Sequence, residues 1–440
     1  MEQQDKIPTS KVERASSVFR TSMRMGANYI KFNAHKVISK NKEEDEDELN
    51  TKNAEELFKL MSQLKGSALK IAQMMSMDNG VLPKAYAEKF ALAQNSAMAL
   101  SEPLVVNTFI KYIKKTPEEI YDKFNRKAVH AASIGQVHEA WKNNEKLAVK
   151  LQYPGVADSI HSDIGLIKPL VLRVLNVKEK DIQPYFEEFE ERLNDECDYE
   201  LELKNGIQIA EDNKDIQNVI IPKYYPELSA KKILTMQWME ANSLQYFIDN
   251  ETNQDKKNKV GQALLDFIHN SIHVHHRFHA DPHPGNFLVT DDAQLIVLDF
   301  GCVKTIPPDF YNYYFSLVRE DVFNDENKLR TCLKGLDMIR DTDDDATAKL
   351  FYENSIRAIQ NISKPMKSDT FYFRDQHFYD ELQAHGDEII ANKNFRNPAA
   401  MRGSKHAIYL HRTFYGLYSI LFKLNATVNI NRNFLSTVGV

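Results

Sequence analysis

The chain alternates between two kinds of hydrophobic pattern. Apolar residues at three- and four-residue steps predict helices over residues 10–38, 54–76, 83–94, 102–115, 185–209, 260–278 and 406–424. Shorter apolar runs bounded by turn residues predict strands over residues 136–141, 146–151, 219–222, 232–236, 287–289 and 295–298. Helices at both ends of the chain, with strand hairpins between them, predict an α+β fold.

The first predicted helix, residues 10–38, has an apolar stripe and a basic face. The stripe comprises Val12, Ala15, Phe19, Met23, Ala27, Ile30, Ala34 and Val37, and the basic face comprises Lys11, Arg14, Arg20, Arg24, Lys31 and Lys36. We expect either that the helix packs on the main domain with its basic face in solvent, or that it lies on an anionic membrane. An acid-poor segment with Arg and Ser is also typical of an organelle presequence, although Glu2 and Asp5 oppose that interpretation.

A block of six acids, Glu43–Glu48, follows that helix and predicts a solvated linker. The helix predicted after it, residues 54–76, carries Lys70 and Gln73, whose spacing of three places them on one face. By itself, such a pair is typical of a solvated surface.

Composition limits the classes of function. The chain has 440 residues, 42% of them hydrophobic and 27% charged, which is typical of a globular protein with more than one domain. A net charge of −6 argues against a general nucleic-acid binder. Three widely spaced cysteines predict a reducing compartment without disulfides or a zinc site. Because there is no run of eighteen apolar residues and no signal-peptide core, we expect a cytoplasmic protein, or one peripheral to the inner face of a membrane.

The segment His279–Gly301 holds the strongest set of candidate catalytic residues. Asp281 and Asn286 are five apart, and Asp299 follows thirteen residues later in an Asp-Phe-Gly triplet. Protein kinases use this order for an Asp that meets the acceptor's proton and for an Asn and a second Asp on magnesium. Mg²⁺ requires such hard oxygen ligands, and it bridges the phosphates of ATP. The predicted hairpin formed by the strands at 287–289 and 295–298 would hold both magnesium ligands on adjacent strand ends.

Residues 129–151 predict a nucleotide-binding hairpin. A kinase has a glycine-rich loop at this point. This chain has a single glycine there, Gly135, preceded by the small residues Ala131, Ala132 and Ser133. Alanine restricts such a loop because it disfavours the positive φ values that glycine allows. Lys150 ends the second strand, where kinases place the lysine that contacts the α- and β-phosphates. Met239 and Glu240 follow a later strand, where a hinge would offer backbone groups to adenine.

The predicted helix at 185–209 would supply an acidic partner for Lys150. Its candidates are Glu196, Asp198 and Glu202, and we expect one of them to pair with Lys150 while another faces a metal ion or the helix of Lys70. His269 and His273, at helical spacing, are candidates for a metal site, but no carboxylate or cysteine completes a ligand set, and buried or exposed histidines are commoner.

The segment after Asp299 lacks the Ala-Pro-Glu triplet that ends the activation segment of protein kinases. Its absence favours a small-molecule, lipid or buried acceptor over a peptide. The helix predicted at 406–424 is rich in Tyr, Phe and Leu, which is typical of a core helix, with a cover for a lipid as the alternative.

These motifs together resemble the ABC1/ADCK/UbiB (AarF) family of atypical kinases over about residues 55–310. The resemblance assigns residues 131–138 to the alanine-rich loop, Lys150 to the nucleotide lysine, Glu196 and Asp198 to the E-x-D motif, and Glu202 to the helix acid that pairs with the lysine. Lys70 and Gln73 match the K-x-G-Q motif, but Ala72 replaces its glycine, and His130 stands at the first position of the alanine triplet.

The resemblance implies a two-lobed protein-kinase-like fold with an N-terminal helical extension over the active site and a helical C-terminal region. The corresponding domains are residues 1–50 (amphipathic helix and acidic linker), 51–118 (extension), 119–241 (N-lobe) and 242–440 (C-lobe). It also implies ATP and Mg²⁺ as cofactors, conditional ATPase activity, and a link to membrane lipid or to quinone-biosynthesis proteins. Lys70, Gln73, Glu196 and Asp198 would then be regulatory. A small-molecule phosphotransferase of the aminoglycoside or choline kinase type, and a nucleotide-sensing scaffold without turnover, remain the alternatives.

Overall fold

The computed structural model describes residues 3–4, 11–36, 42–64, 66–77, 84–92, 99–131, 134–175, 179–391 and 404–430. The chain forms two compact units. The first unit comprises Met1–Leu201, Tyr225–Trp238 and Ile390–Ala399, and the second comprises Glu202–Tyr224, Met239–Ile389 and Ala400–Val440.

In its described residues, the first unit combines helices with a five-stranded sheet and a two-stranded sheet formed by β1 and β2. Its helices are α1 (Lys11–Lys36), α2 (Lys42–Leu64), α3 (Ser67–Met77), α4 (Lys84–Ala91), α5 (Glu102–Tyr112), α6 (Pro117–Ile120), α7 (Val156–Leu175) and α8 (Glu179–Glu196), while α9 (Tyr199–Asp212) continues into the second unit. Its strands are β1 (Gln3–Gln4), β2 (Ala99–Leu100), β3 (Lys123–Phe124), β4 (His130–Ala131), β5 (Gly135–Lys142), β6 (Glu145–Gln152) and β8 (Ile233–Gln237). The helix α7 was not predicted, and its interior Pro169 is a residue that usually interrupts helices.

The antiparallel sheet of the first unit has the order β3-β5-β6-β8, with β4 also paired to β5. Asn143 and Asn144 connect β5 to β6 with φ values of 51° and 64°, so the predicted hairpin is confirmed. Two consecutive positive φ values define the type I′ turn that matches the twist of paired strands, and asparagine tolerates them well. This register sets Lys150 opposite Val137 on one neighbouring strand and Leu234 on the other.

Three predictions about the N-terminal helices were wrong in detail. The acids Glu43–Glu48 lie in the first turns of α2 and not in a linker. The helix predicted at 54–76 is broken at Gly66, whose φ of 51° ends α2 before α3 begins. Likewise, the helix predicted at 185–209 is broken at Cys197–Asp198, between α8 and α9.

Helix α1 confirms the first predicted helix, and Arg20, Arg24 and Lys31 of its basic face are exposed, as expected for a packed helix. The face that packs inward, however, is not the predicted apolar stripe. The face turned inward includes Arg14, Thr21 and Met25. The predicted apolar stripe instead faces solvent, because Phe19, Met23 and Ile30 are 65%, 63% and 72% exposed. The first unit therefore buries Arg14, Thr21 and Met25 of α1 and leaves Phe19, Met23 and Ile30 outside.

The interior of the first unit contains a continuous apolar core and a buried ionic network. The core joins side chains from α2, α3, α5, α7, α8 and the sheet. The network is centred on Asp163 of α7, which accepts hydrogen bonds from Arg14 Nε at 2.7 Å, from Ser159 Oγ at 2.9 Å, and from the hydroxyl of Ser67. Arg14 also makes an ion pair with Asp163 at 2.5 Å, and both side chains are buried. The network therefore ties α1 to the start of α3.

The second unit contains the remaining helices and three small sheets. Its helices are the rest of α9, then α10 (Leu244–Asn250), α11 (Gln254–His273), α12 (Pro308–Ser316), α13 (Glu320–Phe323), α14 (Glu326–Gly335), α15 (Asp345–Ser363), α16 (Gln376–Ala391) and α17 (Lys405–Lys423). Its strands are β7 (Val219–Ile220), β9 (Asn242–Ser243), β10 (Arg277–His279), β11 (Phe287–Val289), β12 (Leu295–Val297), β13 (Val303–Thr305), β14 (Thr370–Tyr372) and β15 (Thr427–Asn429). They pair as β7-β12-β11-β9, β10-β13 and β14-β15.

Two predictions for the second unit can be compared with its elements. The helix predicted at 260–278 ends at His273, and the chain then enters β10, so its last residues were assigned wrongly. Helix α17 confirms the helix predicted at 406–424, and it is a core helix, since Leu410, Phe414, Leu417 and Leu421 are fully buried. None of the helices in the described ranges is long and apolar enough to cross a membrane.

Candidate active site

The loop between β10 and β11 in the second unit carries Asp281 and Asn286. It is held by short-range hydrogen bonds. The amide of Asp281 donates to His279 Nδ1 at 3.1 Å, and Asn286 Nδ2 donates to the carbonyl of Asp281 at 2.9 Å. His283 accepts from the amide of Gly285 and begins a single 3₁₀ turn over Pro284–Asn286. The positions of Asp281 and Asn286 along this loop are therefore fixed by the loop itself.

Asp299 lies at the other end of the same hairpin. Strand β11 begins directly after Asn286, and β12 ends just before Asp299, with Phe287 opposite Val297. The amide of Leu298 donates to the carbonyl of Asn286 at 2.8 Å, so the two predicted magnesium ligands lie on adjacent strand ends, as the sequence predicted. Asp299 has a φ of 61°, a strained value for a residue with a side chain. Such strain persists where surrounding structure enforces it, and it is frequent at functional sites.

The neighbouring elements hold the Asp-Phe-Gly triplet in place. The amide of Gly301 donates to Asp299 Oδ1 at 3.2 Å, and Asn205 Nδ2 on α9 donates to the carbonyl of Phe300 at 3.1 Å. The chain then enters β13, which pairs with β10 immediately before the Asp281 loop. Asp281, Asn286 and Asp299 all remain partly exposed, so ligands can reach their oxygens.

Helix α17 adds two groups that the sequence analysis did not identify. Arg412 places its Nη2 3.7 Å from Asp281 Oδ1, which puts a cation beside the candidate base. Gly416 lies so close to the Asp281 loop that a Cβ on it would be 2.6 Å from Pro282 Cγ. Both residues are more than 120 positions from the loop in the sequence, so no local pattern could have indicated them.

Lys150 in the first unit lies on β6, the central strand between β5 and β8. Its ammonium is 5.1 Å from the centroid of the Tyr199 ring, within the range of a cation–π interaction. Tyr199 is buried and begins α9, and the sequence analysis did not identify it as a site residue.

The alanine-rich loop is described in part. Ala131 ends β4 and pairs with Gln136, and Gly135 begins β5, whereas Ala132 and Ser133 lie outside the described residues. Gly135 is required by space, because a Cβ there would be 2.6 Å from the carbonyl oxygen of Leu151 and 2.7 Å from the hydroxyl of Tyr199. The loop's glycine is therefore packed against the strand of Lys150.

The residues assigned to regulation are partly brought together in the first unit. Lys70 Nζ on α3 forms an ion pair with Glu196 Oε1 at 2.9 Å, with both side chains mostly buried. We expected Asp198 to lie on the same helix as Glu196, but it precedes α9. Its side chain accepts a hydrogen bond from the amide of Leu201 at 3.0 Å. It is thus the N-terminal cap of α9. Gln73 lies on α3, but its side chain lies outside the described residues.

The remaining candidates lie in the second unit. Glu202 is only 1% exposed on α9, and a buried carboxylate is costly unless it is paired. Met239 is half-buried and Glu240 is exposed, just after Trp238, whose amide donates to Lys146 at 3.0 Å.

The histidines of α11 are core residues. His269 and His273 are buried, and desolvation lowers the pKa of His269 to about 4 and that of His273 well below its usual value. Within the described ranges, no group of three or more His, Cys, Asp or Glu side chains could hold a metal ion. The pair Asn286 and Asp299 remains compatible with Mg²⁺, because this ion uses one or two protein oxygens together with phosphates and water.

The comparisons with known proteins agree with this geometry. The ABC1 atypical kinase-like domain matches residues 92–333. The chain is 30% identical over 319 residues to an uncharacterized aarF domain-containing protein kinase, chloroplastic, of Arabidopsis thaliana, a match that covers 70% of this chain and 45% of the relative. It is 25% identical to the mitochondrial atypical kinase COQ8B of Danio rerio, covering 98% of this chain and 69% of that protein. For the mitochondrial atypical kinase COQ8 of Saccharomyces cerevisiae the identity is 25%, with 88% and 76% covered.

A solved structure shows the same fold. The Mycobacterium tuberculosis protein Rv3197, in a complex with erythromycin, has a TM-score of 0.59 and 23% identity, covering 91% of this chain and 98% of that chain. The predicted α+β, kinase-like fold with its helical regions is confirmed. With a domain match over more than half of its residues, the chain belongs to the ABC1 atypical kinase-like family.

Proposed function

We propose that the chain is an atypical kinase or ATPase that uses ATP with Mg²⁺. The observation that carries this proposal is the hairpin of the second unit, which sets Asn286 and Asp299 on adjacent strand ends and Asp281 on the loop leading into it. The donor set supports magnesium, because an amide oxygen and a carboxylate are hard ligands and softer cysteine or histidine ligands are not among them.

Each site residue has a role in this proposal. The Mg²⁺ site would supply positive charge that offsets the negative charge of the nucleotide phosphates. Asn286 and Asp299 would hold the ion, and Asp281 would orient the acceptor and receive its proton. Arg412, with its Nη2 3.7 Å from Asp281 Oδ1, would place a positive charge beside that carboxylate.

Residues of the first unit would act on the nucleotide. Lys150 would contact the α- and β-phosphates, with Glu202 as its acidic partner. The loop of Ala131, Ala132, Ser133 and Gly135 would cover the phosphates, and the backbone of Met239 and Glu240 would meet adenine. Lys70, Gln73, Glu196 and Asp198 would regulate the site, and the Lys70–Glu196 ion pair supports this because it joins the extension to the E-x-D motif.

The acceptor class follows from what comes after Asp299. Strand β13 ends at Thr305 and α12 begins at Pro308, so no long peptide-docking segment intervenes. We therefore propose a small molecule, a lipid or water as the acceptor, in support of isoprenoid-quinone biosynthesis or lipid handling. A phosphotransferase of the aminoglycoside or choline kinase type and a non-catalytic nucleotide sensor are the competing functions.

The exposed stripe of α1 supports contact with a membrane surface. Phe19, Met23 and Ile30 form one apolar face, and Arg20, Arg24 and Lys31 beside it are also exposed. Such a helix binds a bilayer through apolar burial together with attraction to anionic lipid. A cytoplasmic chain peripheral to the inner face of a membrane fits this surface, and membrane lipid or quinone-biosynthesis proteins would be its partners.

Nucleotide binding is the first test. Mg–ATP should stabilise the wild type by about 2.7 kcal/mol at a hundredfold excess over Kd, measured by thermal shift. The shift should disappear in Asp299→Asn. The matched control is Asp292→Asn, an exposed acid in the turn at the opposite end of the same hairpin, which should keep the full shift. No shift with any nucleotide and metal in the wild type would refute the proposal.

Turnover separates the remaining functions. ATP hydrolysis should rise when anionic vesicles are added, and the double variant Phe19→Ser/Ile30→Ser should lose both vesicle flotation and this stimulation. Ile110→Ser, which changes an isolated exposed isoleucine on α5, is the control and should float like the wild type. Binding of Mg–ATP without hydrolysis under every condition would favour the sensor.

A further inference from the structure

The four residues Glu196–Tyr199 join two parts of the first unit. Glu196, at the end of α8, forms the ion pair with Lys70 of α3. Asp198 caps α9, and Tyr199 is the first residue of that helix. A displacement of Glu196 relative to α3 must therefore pass through two turn residues to the Tyr199 ring.

Tyr199 lies against Lys150 and against the alanine-rich loop. Its ring centroid is 5.1 Å from the Lys150 ammonium, and its hydroxyl occupies the space where a Cβ of residue 135 would be. The ring is 1% exposed and Lys150 is partly buried, so water screens the interaction between ring and ammonium less than it would at the surface. A cation–π contact is strongest under such desolvation.

The turn between Glu196 and Tyr199 is fixed to the strand of Lys150. Gln152, two residues after Lys150 on β6, donates from Nε2 to the carbonyl of Cys197 at 2.8 Å. Lys232 approaches the same carbonyl at 3.5 Å and also donates to Gln152 Oε1. These contacts link the turn directly to the strand that carries Lys150.

We propose that Tyr199 is a positioning residue whose ring holds the Lys150 ammonium in place and makes that position depend on the Lys70–Glu196 ion pair. The role in nucleotide handling rests on the function proposed above, whereas the contact between ring and ammonium does not. The extension would thereby act on the nucleotide lysine from within the first unit.

The contact can be tested without nucleotide by measuring how fast Lys150 is acylated by limiting acetic anhydride, read by mass spectrometry. Lys146, on the same strand and over the Trp238 ring at 4.3 Å, is the internal reference. Removing the ring withdraws stabilisation of the ammonium, so Tyr199→Leu should raise the Lys150/Lys146 rate ratio by about five- to tenfold. Tyr199→Phe keeps the ring face and should restore a ratio near that of the wild type.

Two variants separate positioning from general loosening of the core. Tyr121→Leu removes a tyrosine of similar burial elsewhere in the first unit and should leave the ratio unchanged. Lys70→Gln should raise the ratio about twofold in the wild-type background and not further in Tyr199→Leu, because coupled residues are non-additive. A ratio within twofold of the wild type in Tyr199→Leu, an equal rise in Tyr199→Phe, or additive effects of Lys70→Gln and Tyr199→Leu would each overturn the proposal.

A nucleotide measurement completes the test. Tyr199→Leu should weaken Mg–ATP binding by about fivefold, and this effect should vanish when Lys150 is replaced by Met, since Tyr199 acts through Lys150. A weakening that persists in Lys150→Met would overturn the proposal. A wild type that binds no nucleotide refutes the proposed function alone, and the acylation ratio then decides the role of Tyr199.

Discussion

The ionic network around Asp163 provides a quantitative test of how α1 is attached. Asp163→Ala removes the acceptor of two hydrogen bonds from Arg14 and of the hydroxyls of Ser67 and Ser159. Arg14 and Asp163 are 5% and 0% exposed, so the variant removes the carboxylate that faces a buried guanidinium. Breaking a buried ion pair in this way costs about 3–5 kcal/mol.

The assay uses the two tryptophans of the chain, Trp141 and Trp238, which both lie in the first unit. Urea unfolding followed by their fluorescence therefore reports the stability of this unit. With a slope of about 3 kcal/mol per M, the expected loss moves the midpoint down by about 1 M or more. The matched control is Arg24→Ala, which breaks an exposed ion pair from the same helix to Glu56 and should cost less than about 1 kcal/mol.

A compensating variant makes the reasoning refutable. Arg14→Met/Asp163→Leu removes both charges and fills the space with apolar atoms, so it should recover most of the stability lost in Asp163→Ala. A loss below about 1 kcal/mol in Asp163→Ala would show that removing the carboxylate does not leave a costly buried charge on Arg14. A double variant as unstable as Asp163→Ala would show that the cost lies in packing and not in the isolated charge.

Two further predictions concern the second unit. Gly416→Ala should destabilise this unit by about 1–3 kcal/mol and lower turnover, because the added Cβ would press on Pro282. Gly386→Ala on α16 has open space around it and should stabilise the unit by about 0.5–1 kcal/mol. Urea midpoints and rates of ATP hydrolysis measure the effects of the two variants, and equal effects would contradict the packing argument. Burial lowers the pKa of His269 and of His411 from 6.5 to about 4. Between pH 6.5 and pH 4 the unfolded chain therefore binds more protons than the folded chain, and stability falls as the pH is lowered through this window. The expected loss is about 2 kcal/mol per histidine at pH 5. Hydrogen exchange of α11 and α17 amides at pH 7 and 5 measures this loss, and His411→Phe should reduce it.

Local features of the site were predictable because short-range chemistry determines them. Asn143–Asn144 dictates a tight hairpin, and the order of Asp281, Asn286 and Asp299 follows from loop and strand lengths that neighbouring residues set. These features need no knowledge of distant contacts.

Breaks inside helices were harder to predict because periodicity continues across them. The helical spacing of apolar residues continues through Gly66 and through Cys197–Asp198, yet the helix ends at both places and a new helix begins. At Gly66 the positive φ sets the break, and at Asp198 the side chain caps the next helix, so capping and backbone conformation outweigh the pattern.

The sequence by itself determined which residues share a helix face and which catalytic groups follow one another along the chain. Only the tertiary structure decided which face meets a neighbour. Helix α1 buries Arg14 because Asp163 is there to pair with it, and its apolar stripe is left in solvent. In the same way, Arg412 reaches Asp281, and Tyr199 reaches Lys150, through contacts between segments far apart in the chain, which no local pattern encodes.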